Sequence, residues 1–276
     1  MNVPERLDLP FFAYGVFCPG QLAFHRLKAI VEEARDATVT GDLRIRDGLP
    51  ILDAEGHGKV SGSLLSFRPA SAAEAYRAIV ELEPDRQYRW AERVIAGTPA
   101  NILLGRSPLK GSALVDEHAW DGRKDPLFTA ALDVVRETLA SNAKFEWDLR
   151  PMFRLQMAYL LLWSSIERYL ALRYHLGSAV MCKIRNLATE PAFREALASA
   201  KPEPREIYRA DKPNERIRLD PTNPESCVEY YYQVRSNAVH RGKAVVTDHE
   251  IVQQSLTELI TIFDHVRERA FAGAMP

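Results

Sequence analysis

The sequence predicts an α+β protein in which a small mixed β-barrel domain precedes an all-α helical bundle. Two observations support this fold class. Short β-like runs alternate with turn signals up to residue 124, and long stretches with a helical period dominate over 125–276. We therefore expect one domain over 1–124 and a second over 125–276, with the change of character at Asp125-Pro126. A chain of 276 residues is long enough to bury two cores of ordinary size.

Aromatic and β-branched runs predict the strands of the first domain. A run over 9–17 is closed by the turn-forming cluster Cys18-Pro19-Gly20, and a helix is expected over 71–83, where Ser71 is a candidate N-cap. The other segments that we expect to form strands are ATVTGDLRI, GKVSGSLLSF, YRWAERVIAG, ANILLG and GSALVDEH. Several short strands with one or two helices favour a small barrel over a doubly wound sheet.

Helical periodicity predicts the elements of the second domain. A long helix is expected over 151–175, because Pro151 suits its first turn and its apolar stripe is wide. The other predicted helices are DPLFTAALDVVRETLASN, SCVEYYYQVRSNAVH and DHEIVQQSLTELITIFDHVRERAF. The second of these is expected to end near Gly242, which suits a left-handed C-cap. Residues 201–225 are rich in proline and charge and predict a loop or a short irregular insertion.

Composition and charge exclude several classes of protein. Lys and Arg total 36 and Asp and Glu total 37, so the chain lacks the basic excess of a protein that coats nucleic acid through phosphate charge. No apolar run approaches the roughly 18 residues of a membrane span, and no secretion signal is evident. Cys18, Cys182 and Cys227 form no Cys-x-x-Cys pair, which argues against a disulfide framework or a zinc site. We expect a cytoplasmic protein without a metal, a cofactor or membrane contact.

Two glycines flank a turn after the first predicted strand, in Tyr14-Gly15-Val16-Phe17-Cys18-Pro19-Gly20. Backbone N–H groups in such a turn can converge on an anion, because glycine tolerates positive φ and leaves no side chain in the way. From the local pattern alone, a plain strand-to-helix turn is the simpler interpretation.

The order of the motifs that follow this turn gives a more specific indication than the turn itself. Downstream stand Val39-Thr40-Gly41-Asp42-Leu43, Gly48-Leu49-Pro50, Gly58-Lys59-Val60-Ser61-Gly62, the helix end Leu82-Glu83-Pro84 and the strand opening Tyr88-Arg89. This series, over about residues 9–120, resembles the gamma-glutamylcyclotransferase-like family, which opens with a Tyr-Gly turn and carries a catalytic glutamate at a helix end. Where the family has Gly after the glutamate this chain has Pro84, and Val80 replaces the family's Asp three residues before it.

The resemblance implies a pocket at the Tyr-Gly turn in which a γ-glutamyl compound cyclises. Its α-amine attacks its own γ-carbonyl and releases 5-oxoproline and an amine, while one glutamate moves the proton between the two nitrogens. Glu83 matches that glutamate, and the amides of Tyr14, Gly15 and Val16 match the groups that hold the substrate carboxylate. Two alternatives remain: Glu83 is a solvated carboxylate at a helix end, or the domain binds its ligand without converting it.

Two Arg–His pairs in the helical half approach a spacing known from ribonucleases. Arg168 and His175 share one face of the long helix, which favours a place on its charged edge. Arg235 and His240 diverge by roughly 140° on a straight helix. They therefore face one small ligand only if His240 lies in the last helical turn, or if two copies of the helix face each other.

The surroundings of the second pair are more specific. The segment YYYQVRSNAVHRGK at 230–243 resembles the signature helix of HEPN domains, a helical nucleotide-binding and ribonuclease family. The segment WSSIERY at 163–169 is similar to the aromatic-x-x-aliphatic-Glu stretch of that family's core. The likeness covers about 126–272 and is interrupted by 201–225. Of the three consecutive tyrosines, we expect most to lie in the core.

The HEPN resemblance implies metal-independent RNA cleavage, in which a 2′-hydroxyl attacks the adjacent phosphate. His240 would act as general acid or base, and Arg235 would stabilise the phosphorane oxygens. Asn237 is the expected polar third member of the catalytic set, with Ser236 as the alternative. The flanking residues expected to contact phosphate are Arg241 and Lys243. A homodimer through the helical domain would bring two Arg–His sets into one cleft.

Three hypotheses follow for the whole chain. In the leading one, the helical domain is a HEPN ribonuclease that cuts RNA, and the barrel senses or processes a small amino-acid-like ligand. Family resemblance alone suggests a place in stress response or defence against phage. In the second, Glu83 catalyses γ-glutamyl cyclisation and the helical domain serves only dimerisation. In the third, the chain binds a ligand and a partner without catalysis.

Overall fold

The computed structural model describes most of the 276 residues. Outside the described part lie residues 47, 84, 107, 108, 110, 116, 142–148, 175–179, 210, 211, 213, 242–245 and 276, together with the side chains of residues 180, 181, 240, 241, 246 and 247. The chain divides into two compact units. Unit 1 comprises residues 1–125, 172–175 and 271–276, and unit 2 comprises residues 126–171 and 176–270.

Unit 1 is built from strands around one helix. The strands are β1 (Phe11–Ala13), β2 (Val31–Thr40), β3 (Asp42–Arg46), β4 (Leu49–Asp53), β5 (Lys59–Phe67), β6 (Tyr88–Ile95), β7 (Thr98–Gly105) and β8 (Ala113–Leu114), and the helix is α1 (Ala72–Leu82). A five-stranded sheet has the order β2-β5-β1-β7-β6, and a three-stranded sheet has the order β4-β3-β8. β1 runs parallel to β7 and antiparallel to β5. The mixed α+β class is therefore confirmed.

The described strands form two open sheets and no closed barrel, in contrast to the expected architecture. Gly41, at φ +152°, separates β2 from β3. The long pairing of β2 with β5 ends just before it, at Thr40, and β3 then pairs with β4. A side chain at Gly41 would collide with Leu52, because an added Cβ would lie 2.7 Å from its Cδ1. The glycine thus lets the chain pass from one sheet to the next at close quarters.

The core of unit 1 lies beside the first strand and contains side chains from most of the strands. Its buried members are Phe12, Tyr14, Leu43, Leu52, Val60, Leu64, Ile95, Ala100, Ile102 and Leu104. The predicted helix over 71–83 is observed as α1, whose buried face is formed by Ala75, Tyr76 and Ile79. The beginning of β2 was not predicted, since residues 32–36 are charged or small and fully exposed.

Unit 2 contains most of the helices. They are α2 (Ala130–Ala140), α3 (Arg150–Tyr174), α4 (Val180–Thr189), α5 (Pro191–Ala200), α6 (Pro224–Arg241) and α7 (Val246–Gly273), of which α3 and α7 end in residues assigned to unit 1. The predicted long helix, signature helix and closing helix correspond to α3, α6 and α7. In the part of the chain that the structure describes, no helix is long and apolar enough to cross a membrane.

The expectation of an irregular segment over 201–225 is wrong. Two short strands, β9 (Arg205–Tyr208) and β10 (Arg216–Leu219), pair antiparallel with Tyr208 opposite Arg216. Ile207 and Leu219 are buried while their neighbours are exposed, which is the alternation of a half-buried hairpin. The second half is therefore not all-α.

Candidate functional site

A small cavity in unit 1 brings the first predicted constellation together. Tyr14, Gly15 and Val16 line this cavity with Glu83, although 67 or more residues of sequence separate the turn from the glutamate. The other lining residues are Phe11, Ala13, Phe17, Pro50, Tyr88 and Leu103. The cavity measures about 20 Å³, which is room for a single water molecule. We call this site the Glu83 pocket.

The turn of the Glu83 pocket begins where β1 ends. The Cys18 N–H donates to the Gly15 carbonyl at 2.9 Å, and the Ala23 N–H donates to the Val16 carbonyl at 3.0 Å. A Cβ added to Gly15 would lie only 2.6 Å from Cγ of Pro50. Glycine at this position therefore allows β4 to press against the turn.

Two buried tyrosines fix β4 and β7 around the pocket. The Tyr14 hydroxyl donates to the Leu103 carbonyl at 2.7 Å and accepts a hydrogen bond from the Leu52 N–H at 3.2 Å. The Tyr88 hydroxyl donates to the Pro50 carbonyl at 2.6 Å. Burial, and secondarily the Glu83 carboxylate, raises the pKa of Tyr14 above its usual value. The Tyr14 phenol is therefore a neutral hydrogen-bonding group in this pocket.

Glu83 is the titratable group of the pocket. It caps the C-terminus of α1 with extended dihedrals, φ −84° and ψ 123°, and its N–H donates to the Ile79 carbonyl at 3.0 Å. Its carboxyl makes no hydrogen bond to another side chain that the structure describes. Burial raises the pKa of Glu83 to about 8. The side chain keeps part of its surface exposed, and its pKa is close to the value suited to proton transfer near neutrality.

Glu81 serves as the natural comparison for Glu83. It lies two residues earlier in α1, and its carboxylate pairs with Arg26 at 2.6 Å with a side chain that is 66% exposed. Glu81 therefore faces solvent and Arg26 and does not line the Glu83 pocket.

The signature helix α6 places Arg235 against α3 and α4 in unit 2. Its guanidinium lies 5.7 Å from the centre of the Tyr232 ring, and one of its nitrogens lies 4.0 Å from a Glu167 carboxylate oxygen. Lys183 lies at the same 4.0 Å distance from the other oxygen of Glu167. Nε of Arg235 is buried and has no hydrogen-bond partner among the described residues. We call Arg235 with Tyr232, Glu167 and Lys183 the Arg235 site.

Asn237 lies on a different face of α6 from Arg235. Its Oδ1 accepts a hydrogen bond from Gln233 Nε2 at 2.8 Å, and its Nδ2 donates to the Tyr208 carbonyl at 2.6 Å. Both ends of the amide therefore take part in contacts that hold structure together. Its predicted catalytic role stays a prediction.

Three predicted site groups lie outside the described residues. The backbone of His240 and Arg241 belongs to the last turn of α6, but their side chains are not part of the described structure, and neither is Lys243. The structure brings the turn and Glu83 together, whereas the relation of Arg235 to His240 stays a prediction.

Two of the three consecutive tyrosines belong to a buried hydrogen-bond network that the local sequence pattern does not predict. Tyr230 and Tyr231 are fully buried, and the Tyr231 hydroxyl donates to Glu258 at 2.8 Å. The same carboxylate pairs with Arg205 of β9 at 2.9 Å, and Arg205 Nε donates to the Tyr230 hydroxyl at 3.1 Å. Arg205 and Glu258 stand 53 residues apart, so no local pattern links them.

A metal site is not formed by the described side chains, since no group of three or more His, Cys, Asp or Glu residues among them is placed to hold an ion.

Comparison with known proteins adds little. No family model matches the chain, and no curated protein matches it. A crystal structure of an uncharacterized protein from Pyrococcus horikoshii is similar over 41% of this chain and 90% of that chain, with 19% identity and a TM-score of 0.32.

Proposed function

We propose that the Glu83 pocket cyclises γ-glutamyl amines to 5-oxoproline. One observation carries this proposal: the Tyr14-Gly15-Val16 turn and a half-buried glutamate with a raised pKa line the same cavity. The predicted resemblance to cyclotransferases names the same residues. A carboxyl with a pKa of about 8 accepts a proton from an ammonium group more readily than an ordinary glutamate.

The chemistry needs one carboxyl that acts twice. Glu83 in its ionised form takes a proton from the substrate α-ammonium, and the freed amine attacks the γ-carbonyl carbon. The ring nitrogen of the tetrahedral intermediate still carries one proton too many, and both this proton and the one held by Glu83 pass to the departing nitrogen. The C–N bond breaks, and 5-oxoproline and an ammonium product remain. The turn amides hold the α-carboxylate. The cavity has room for only one water molecule. Substrate entry therefore requires Pro50 of β4 to move away from Gly15.

Release of 5-oxoproline from γ-glutamylalanine, measured by mass spectrometry on the full chain, tests the proposal. Replacing Glu83 with Gln is expected to lower the rate at least about 100-fold, because Gln cannot carry the proton. Glu81→Gln makes the same charge change on an exposed carboxylate of the same helix and should leave the rate unchanged. Equal rates for both variants and the unsubstituted chain would contradict the catalytic role of Glu83.

As a second candidate function, we propose that unit 2 cleaves RNA without metal at Arg235 and His240. The favouring observation is the buried Nε–H of Arg235, which lacks a described partner on a guanidinium already steadied by Glu167 and Tyr232. A phosphate oxygen is a fitting acceptor for such a donor. His240 would remove the proton of the 2′-hydroxyl as that oxygen attacks phosphorus. The P–O5′ bond then breaks as O5′ takes up a proton from solvent, leaving a 2′,3′-cyclic phosphate and a 5′-hydroxyl.

This second activity is tested by incubating the chain with tRNA or total RNA in the presence of a chelator. Arg235→Ala and His240→Ala are each expected to slow cleavage by about 100-fold or more. Arg269→Ala removes an equally charged, exposed side chain from α7 and serves as the control. Cleavage that survives both site variants would exclude this function. A homodimer, a cytoplasmic location and a role in stress response or phage defence belong to the same proposal, as does the finer division into a cyclotransferase-like and a HEPN-like domain.

A further inference from the structure

The β9–β10 hairpin is fastened to two helices of unit 2. Asn237 of α6 donates to the Tyr208 carbonyl at 2.6 Å, and Arg205 of β9 pairs with Glu258 of α7 at 2.9 Å. Both Arg205 and Glu258 have side chains less than 15% exposed, so this pair is shielded from solvent. Anchors at both ends of β9 hold the hairpin in one place on the unit.

The outer face of the hairpin carries an aromatic ring and two arginines. The Tyr208 side chain is 47% exposed, and the Arg216 guanidinium lies 4.7 Å from the centre of its ring. Arg216 also pairs with Glu206 at 3.1 Å. Arg218 is exposed, and its guanidinium makes no hydrogen bond or ion pair with a described residue. The face therefore presents an exposed aromatic ring beside two guanidinium groups, of which that of Arg216 lies near Glu206 and that of Arg218 near Asp220.

The hairpin contacts the face of α6 that leads to His240. Asn237 precedes His240 by three residues, the spacing at which helical residues are neighbours on one face. The hairpin contact at Asn237 is therefore about one helical turn from the end of α6, the part of the helix where the proposed cleavage takes place.

We propose that this outer face is a platform for single-stranded RNA, on which a base stacks against Tyr208 while Arg218 and Arg216 contact phosphate. The inference rests on the proposed RNA cleavage and names the part of the substrate that the chain would recognise. Bases stack on exposed aromatic rings and on guanidinium planes without regard to sequence. Because the whole chain has 36 basic and 37 acidic residues, bulk charge supplies little affinity, and stacking has to carry the binding.

The test is RNA binding by the full chain carrying His240→Ala, so that the probe survives. Fluorescein-labelled 12-nucleotide oligouridylate and oligoadenylate are titrated, and anisotropy gives Kd. Tyr208→Ala and Arg218→Ala are each expected to weaken binding about 10-fold. Tyr208→Phe keeps the ring and should bind within about twofold of the parent, and Arg269→Ala controls for loss of one exposed positive charge. Thermal unfolding confirms that each variant is folded.

Cleavage assays distinguish the platform from the RNA cleavage itself. They use the same substitutions in a chain that keeps His240. The platform predicts a higher KM with kcat nearly unchanged for Tyr208→Ala. Equal Kd values for Tyr208→Ala, Tyr208→Phe and Arg269→Ala, in a chain whose cleavage still depends on His240, would overturn the platform and leave RNA cleavage standing. A chain that neither binds nor cleaves these RNAs would overturn both.

Discussion

Glu83 directly follows α1, and Arg235 lies within two turns of the end of α6, yet their surroundings are opposite. The Glu83 pocket is lined mostly by apolar groups and has room for one water molecule, and no described residue places an opposite charge beside its carboxyl. The Arg235 site is half-exposed, and Glu167 lies between two cations there. The contrast shows how burial raises the pKa of one carboxyl, whereas the other carboxyl lies against two cations.

The largest expected effect is the pH dependence of the free energy of unfolding, in which Glu83 should differ from exposed carboxylates. The folded chain, in which the pKa of Glu83 is about 8, holds this proton more tightly than the unfolded chain, whose glutamate has a pKa of about 4.3. The free energy of unfolding should therefore fall as pH rises from about 4 to about 8, by at most about 1.4 kcal/mol per unit. Urea unfolding at pH 5 and pH 8.5 measures this.

Glu83→Gln should remove that decline, since the amide does not titrate. Glu81→Gln should retain it, because the Glu81 carboxylate is exposed and paired with Arg26. The same slope for both variants would show that Glu83 is ionised in the folded chain at neutral pH and is in contact with water.

A somewhat smaller effect is expected from Gly15→Ala, which tests the closeness of β4 to the turn. The added methyl would lie 2.6 Å from Pro50 Cγ, so β4 has to shift, at a cost of about 2 kcal/mol. Release of 5-oxoproline should fall while RNA cleavage persists. Gly273→Ala is the matched control, because nothing lies within 4 Å of its added Cβ. Equal stability of the two variants in thermal unfolding would contradict the tight approach.

The smallest effect on stability is expected from Glu167→Gln, which perturbs the other half of the comparison. Its contacts with Arg235 and Lys183 are 4.0 Å long and partly exposed, so the free energy of unfolding should change by less than about 1 kcal/mol. RNA cleavage should slow several-fold, because Arg235 loses the anion that steadies it. Glu195→Gln alters a carboxylate that also lies beside basic side chains, those of His265 and Arg269, and should leave cleavage unchanged.

Local patterns predicted some of this architecture well. The helix α1 and the signature helix follow from periodicity, and the order of motifs indicated that Tyr14 and Glu83 belong together. The expected N-cap Ser71 makes no side-chain capping hydrogen bond, and the expected C-cap Gly242 lies outside the described residues. The pairing of Arg205 with Glu258 has no such signal, since it depends on tertiary packing across 53 residues. The hairpin was missed because its prolines and charges outweigh the short apolar alternation around Ile207. The prediction of a closed barrel was wrong, because the number of strands does not determine whether the edges of a sheet pair with each other.

The raised pKa of Glu83 makes the ionised fraction of its carboxyl sensitive to pH in the mildly alkaline range. A group with a pKa of about 8 is ionised in roughly a tenth of molecules at pH 7 and in half of them at pH 8. One unit of alkaline drift thus multiplies the base-competent population about fivefold. Turnover limited by that population would quicken in a mildly basic medium and nearly stop in an acidified one.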